Sequence, residues 1–73
     1  MMALQRMANF TYKKEKCEPI SASDYAIRYD GHGNSFAKDK GSKEFRTDFK
    51  VNNEAYEVLL SGVEIDKEEY DNF

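Results

Sequence analysis

His32 and Cys17 are the only histidine and the only cysteine in 73 residues. A structural zinc site takes about four Cys or His ligands, so these two cannot build one. A single cysteine also excludes a disulfide within the chain. Nucleophilic catalysis requires a base and an orienting group beside the Ser or Cys, and no Ser-His-Asp or Cys-His spacing stands out. His32 lies between Gly31 and Gly33, in a turn, where a solvated histidine is the expected state. The run Asp30-Gly31-His32-Gly33-Asn34 resembles a calcium loop only faintly. It lacks the Asp or Asn at the third position, the Gly at the sixth and the Glu at the twelfth. The two glycines make no phosphate loop either, since no Gly-Lys-Ser/Thr follows. The sequence therefore predicts no catalytic residue, no metal ligand, no cofactor and no enzyme.

Charge points instead to binding. Residues 1–50 hold ten Lys/Arg against seven Asp/Glu, whereas residues 51–73 hold one Lys against seven Asp/Glu. The net −3 thus divides into a mildly basic end and a strongly acidic one. The acids are Glu54, Glu57, Glu64, Asp66, Glu68, Glu69 and Asp71, the last five within eight residues and next to Tyr70 and Phe73. Aromatic anchors inside a charged rim suit a protein interface, and a compact acidic face attracts a basic partner over distance. Glu64, Asp66, Glu68, Glu69, Tyr70, Asp71 and Phe73 are accordingly the candidate partner-binding residues. A regulator or inhibitor that occupies a basic groove would use such a surface.

A second pattern competes with it. Phe10, Tyr12, Lys13, Lys14 and Lys16 interleave rings with positive charge, the mixture that single-strand nucleic-acid binders use. Glu15 and Glu18 dilute it, and Phe10 and Tyr12 also suit a core. A nucleic-acid-binding β module working through this Tyr/Lys edge strand is the alternative reading. A subunit whose role is assembly is the third.

The elements that must carry these residues are short. Turn signals recur about every ten residues, at Pro19, Asp30-Gly31, Gly33-Asn34, Gly41-Ser42, Asn52-Asn53 and Ser61-Gly62, as expected for short antiparallel strands. Phe45, Thr47, Phe49 and Val51 alternate with Glu44, Arg46, Asp48 and Lys50, which predicts a half-buried strand over 45–51. Asn52-Asn53 then predicts a hairpin to a strand over 55–60, facing Phe49 with Tyr56, Thr47 with Val58 and Phe45 with Leu60. A loop at Asn53-Glu54, pairing Lys50 with Glu57, fits the same faces. A strand is expected within residues 9–17, its lysines placing it at a sheet edge, and another near Ser35–Asp39 around Phe36. Residues 20–30 read best as a strand, with Tyr25, Ile27 and Tyr29 alternating. Ser21 with Asp24, and Ile20 with Tyr25, also match a helix cap and staple. Asp66 predicts the start of a short C-terminal helix, with Glu69 at the capping-box position and Ile65 and Tyr70 as its staple.

The fold class predicted is mainly β, within α+β: a small antiparallel sheet of four to five strands with a short C-terminal helix. Residues 1–8 read as a disordered extension and 9–73 as one small domain. No stretch approaches the roughly 20 apolar residues of a membrane helix, and a lone cysteine suits a reducing compartment, so a cytoplasmic protein is expected. So small a core, with neither disulfide nor metal, favours self-association as a homodimer. A compact acidic chain with so little machinery suits a viral or mobile-element protein that binds a protein partner with a basic surface.

Overall fold

A computed structural model describes residues 9–19 and 22–73. The expected N-terminal extension (residues 1–8) and the Ile20 and Ser21 of the helix-cap reading lie outside the described residues. Five strands form one sheet: β1 (Thr11–Lys14), β2 (Tyr25–Tyr29), β3 (Ser35–Asp39), β4 (Phe45–Arg46) and β5 (Val63–Ile65). Helix α1 (Asn53–Ser61) separates β4 from β5, and α2 (Lys67–Asp71) ends the chain. The sheet order is β4-β3-β2-β1-β5 and each neighbouring pair is antiparallel. This is the mainly β, α+β architecture that the sequence predicts, with one helix more.

β1 to β4 run as a meander. Tyr25–Tyr29 is a strand, as favoured for residues 20–30, and Asp30-Gly31 turns it into β3. In that turn the Asp30 carboxylate accepts from the backbone of His32 at 2.7 Å and from the side chain of Asn34 at 2.7 Å. Gly31 and Gly33 take positive φ there, the conformation that a side chain makes costly.

The predicted 45–60 hairpin does not form. The strand stops after Arg46 because Asp48 folds the chain into a turn: its Oδ1 accepts from Lys50 N at 2.8 Å, and its carbonyl accepts from Val51 N and Asn52 N. Asn52 is a helix cap rather than a hairpin residue. Its Oδ1 accepts from Ala55 N at 3.1 Å, while its Nδ2 donates to Tyr25 Oη and Thr47 Oγ1. Residues 55–60 satisfy both periods on paper. The helical one wins, burying Ala55 and Val58 and packing Leu59 against the same cluster. Phe45 and Val51, read as one buried face, are exposed, and Phe49 is half-buried against Tyr29.

The expected edge placement of β1 also fails, because β5 pairs outside it, Tyr12 opposite Ile65 and Lys14 opposite Val63. The lysines are accommodated there: Lys13 Nζ donates to the Leu59 carbonyl at 2.8 Å, and Lys14 pairs with Glu69 at 2.6 Å. The true edges, β4 and β5, are two and three residues long. Such brevity limits strand-to-strand association.

Strand alternation divides the core in two. Tyr25, Ile27 and Ala37 face α1 and pack on Ala55 and Val58. Ala26 and Ile65 face the other way, with Tyr70 of α2 over them and Tyr12 and Phe73 alongside. The link from α1 into β5 depends on Gly62, whose N–H donates to the Val58 carbonyl at 2.8 Å. A Cβ at this position would overlap the carbonyl oxygens of both Val58 and Lys14, and both are backbone. Gly62→Ala is therefore expected to destabilise by about 1–3 kcal/mol, the usual cost of forcing atoms into a packed site. A thermal melt coinciding with that of the unaltered protein would show that the α1–β5 junction has slack.

Candidate functional site

The acidic C-terminal segment does not come together as one surface. Asp66 caps α2, its Oδ1 accepting from Glu69 N at 2.8 Å, as its sequence position predicts. Glu69 turns to Lys14 at 2.6 Å rather than back to the cap. Asp71 pairs with Lys67 one turn earlier, which holds its carboxyl below the ordinary range through that hydrogen bond. Tyr70 is 2 % exposed, and its hydroxyl donates to Glu44 Oε1 at 2.9 Å. Phe73 packs beside it, and its carbonyl accepts from Gly41 N. Glu68 remains solvent-exposed on α2. Glu64 is exposed as well, but it lies opposite Lys13 and so on the α1 side of the sheet. Of the seven candidates, two are anchors of the second core, three have local partners and two point to different faces.

Helix α1 gathers what sequence reasoning missed. Tyr56 and Leu60 sit one turn apart on its outer side and are 45 % and 63 % exposed. Val51 precedes the helix at 80 % exposure, and Phe45 on β4 is also on this side. Every exposed large apolar side chain among the described residues thus lies on the α1 side of the sheet. Glu54 and Glu57 flank the Tyr56–Leu60 ridge, and neither has an ion-pair partner among the described residues. Both also line a cleft of about 300 Å³ between α1 and the end of β1, together with Glu15 and Lys16. Burial pushes the Glu54 carboxyl above its ordinary range, and the charges of Asp39 and Glu15 push it further. The readable signal for this surface is the Ala55, Val58, Leu59 spacing. It marks one helix face as buried and leaves Tyr56 and Leu60 outside.

Cys17, beyond the end of β1, is half-buried. Desolvation, followed by the charge of Glu15, raises its thiol pKa, the opposite of what a reactive thiolate requires. His32 is exposed in the β2–β3 turn. No cluster of three or more metal-ligating side chains forms among the described residues. Among those residues no helix is long and apolar enough to cross a membrane.

No protein-family model, curated protein or solved structure matches this chain.

Proposed function

We propose that the chain is a non-catalytic protein-binding module whose contact surface is the outer side of α1 rather than α2. The observation that carries the reading is the pair Tyr56 and Leu60, held exposed beside the carboxylates of Glu54 and Glu57, which have no ion-pair partner among the described residues. Burying two such side chains supplies the apolar anchor of an interface. The carboxylates speed encounter with a basic partner surface and exclude an acidic one. Regulation or inhibition of that partner by occupancy of its basic surface is the corresponding role.

The test is comparative capture from a lysate with the immobilised chain. Proteins retained at low salt and released by added salt are expected to disappear with Tyr56→Ser/Leu60→Ser and to weaken with Glu54→Gln/Glu57→Gln. Glu68→Gln/Asp71→Asn is expected to leave capture unchanged. An unchanged retained set with the α1 variants and a depleted one with the α2 variants would move the surface to α2. A dimer mass by light scattering that falls to about 8.5 kDa with Leu60→Ser would make the ridge a self-association face instead.

A further inference from the structure

The other side of the sheet has a chemistry of its own. Strand alternation sends Lys14, Arg28, Lys38 and Arg46 to the α2 side, with Tyr12 and Phe36 between them. The strands contribute no carboxylate to that side, since Asp39 and Glu64 fall on the other. Two carboxylates from outside the strands pair with its cations, Glu69 with Lys14 and Glu44 with Arg28, and the charges of Lys38 and Arg28 also reach Asp71 of α2. Helix α2 covers the end of this face where Ala26, Ile65 and Tyr70 lie. At the other end a row crosses from the start of β1 to β4: Phe10, Arg28, Phe36, Arg46. The Arg28 guanidinium lies 4.3 Å from the Phe10 ring centroid and 4.1 Å from that of Phe36. Arg46 lies 4.9 Å from the Phe36 centroid.

The row ends in an exposed and weakly held cation. Among the described residues Arg46 donates only to the Gly33 carbonyl and Asn34 Oδ1, both at 3.4 Å. Beside it, at the β4 edge of the sheet, is a cleft of about 380 Å³ to which Lys50 adds a second charge. Ser35, opposite Tyr29, and Thr47, whose hydroxyl accepts from Asn52, line it from the α1 side. The Asp48 carboxylate in the cleft accepts from Lys50 N.

We propose that this uncovered end of the sheet binds single-stranded nucleic acid. Phosphates meet Arg46 and Lys50 around the β4 edge, replacing the two long Arg46 bonds, and a base stacks on the outer plane of the Arg46 guanidinium. Guanidinium planes backed by rings on a sheet are suited to splayed bases, and base stacking tolerates any sequence. An acidic peptide would satisfy the charges but not the flat row, and a duplex hides its base faces. The proposal is independent of the protein-binding reading, since it uses none of Tyr56, Leu60, Glu54 and Glu57. It also differs from the Tyr12–Lys16 edge: Lys14 is already paired, Lys13 faces α1 and Lys16 lines the α1 cleft.

Fluorescence anisotropy with labelled 12-nucleotide DNA and RNA single strands, and a DNA duplex of the same sequence, tests it. Binding of a single strand is expected, weakening with salt at a log–log slope of about −0.7 per phosphate contact. The duplex is expected to bind about tenfold less tightly, having no accessible base faces. Arg46→Gln and Lys50→Gln should each weaken single-strand binding about three- to tenfold and make the slope shallower by about 0.7. Both side chains are exposed, so circular dichroism is expected to be unchanged. Lys16→Gln and Tyr56→Ser/Leu60→Ser should bind as the unaltered chain does. Absence of single-strand binding at low salt, equal binding of the duplex, or loss in Lys16→Gln with Arg46→Gln unaffected would each overturn the proposal. An acidic peptide displacing the oligonucleotide at equal concentration would overturn it as well, assigning the site to peptide.

Discussion

Ile27→Ala is expected to remove about 2–5 kcal/mol of folding stability, the range for deleting a fully buried branched side chain. Ile27 is completely buried in the middle of the central strand, between Lys13 on β1 and Ala37 on β3. It packs in the cluster that α1 closes with Ala55 and Val58. Ala37 and Ala55 beside it are too short to fill the void, whereas Tyr29, Phe49 and Leu59 at the rim of the cluster set how far it can collapse. A chain of this length has a marginal total stability, near the lower end of about 5–15 kcal/mol, so one such loss populates the unfolded state. Urea unfolding followed by circular dichroism measures it, with Ile27→Val as the graded comparison at about 0.5–1.5 kcal/mol. Val51→Ala, at an exposed position that alternation assigns to the buried face, should stay within about 0.5 kcal/mol of the unaltered protein. Equal losses at Ile27 and Val51 would mean that the α1 face is packed differently.

The parts legible in the sequence were those that local chemistry decides. Asp66 is a cap because its side chain meets Glu69 N three residues on, and Ile65 and Tyr70 do meet in the second core. Tyr25–Tyr29 is a strand whose two faces are both covered, so its alternation of large and small residues survived as alternation between two cores. The Asp30-Gly31 turn rests on one carboxylate and two positive-φ glycines. The segment 45–60 was not legible because two periods fit it. Alternation of Phe45, Thr47, Phe49 and Val51 is real, but Asp48 closes a turn inside it and Asn52 is claimed by Ala55 N, Thr47 and Tyr25. The Tyr25 contact is 27 positions away in the chain. No local pattern encodes it. The pairing of the acidic residues was not legible for the same reason. The sequence counts the acids of residues 51–73, but only the fold shows that Glu69 and Asp71 have cation partners while Glu54 and Glu57 have none among the described residues. Arg28, Phe36 and Arg46 are spread over nineteen residues, and only antiparallel register brings them into a row.

The same register explains why the shortest helix depends on one side chain. At five residues α2 has no stability of its own. Tyr70 holds it by placing its ring against Ala26, Ile65 and Tyr12, and by donating its hydroxyl to Glu44. Glu44 in turn receives two hydrogen bonds from Arg28, at 2.6 and 2.9 Å. Tyr70→Ala is expected to cost about 3–5 kcal/mol, as for loss of a buried ring, and to release α2 from the sheet. Tyr70→Phe keeps the ring and removes only a charge-assisted hydrogen bond, for about 1–3 kcal/mol. The pH dependence separates the two contributions. The bonds from Arg28, then that from Tyr70, hold the Glu44 carboxyl below its ordinary range. Its stabilisation is therefore present above the unfolded carboxyl pKa and is lost as pH falls through the lower folded value. Burial, then the bond to Glu44, raises the Tyr70 hydroxyl pKa. That stabilisation is present below the unfolded tyrosine pKa, about 10, and declines as pH rises beyond it. Tyr70→Phe should therefore make the decline of stability above about pH 10 shallower, with the raised Tyr25 and Cys17 contributing to what remains. Glu44→Gln should flatten the acid limb. Stability–pH curves for Tyr70→Phe and the unaltered chain that run parallel above pH 10 would show that the hydroxyl is not held by Glu44 in solution.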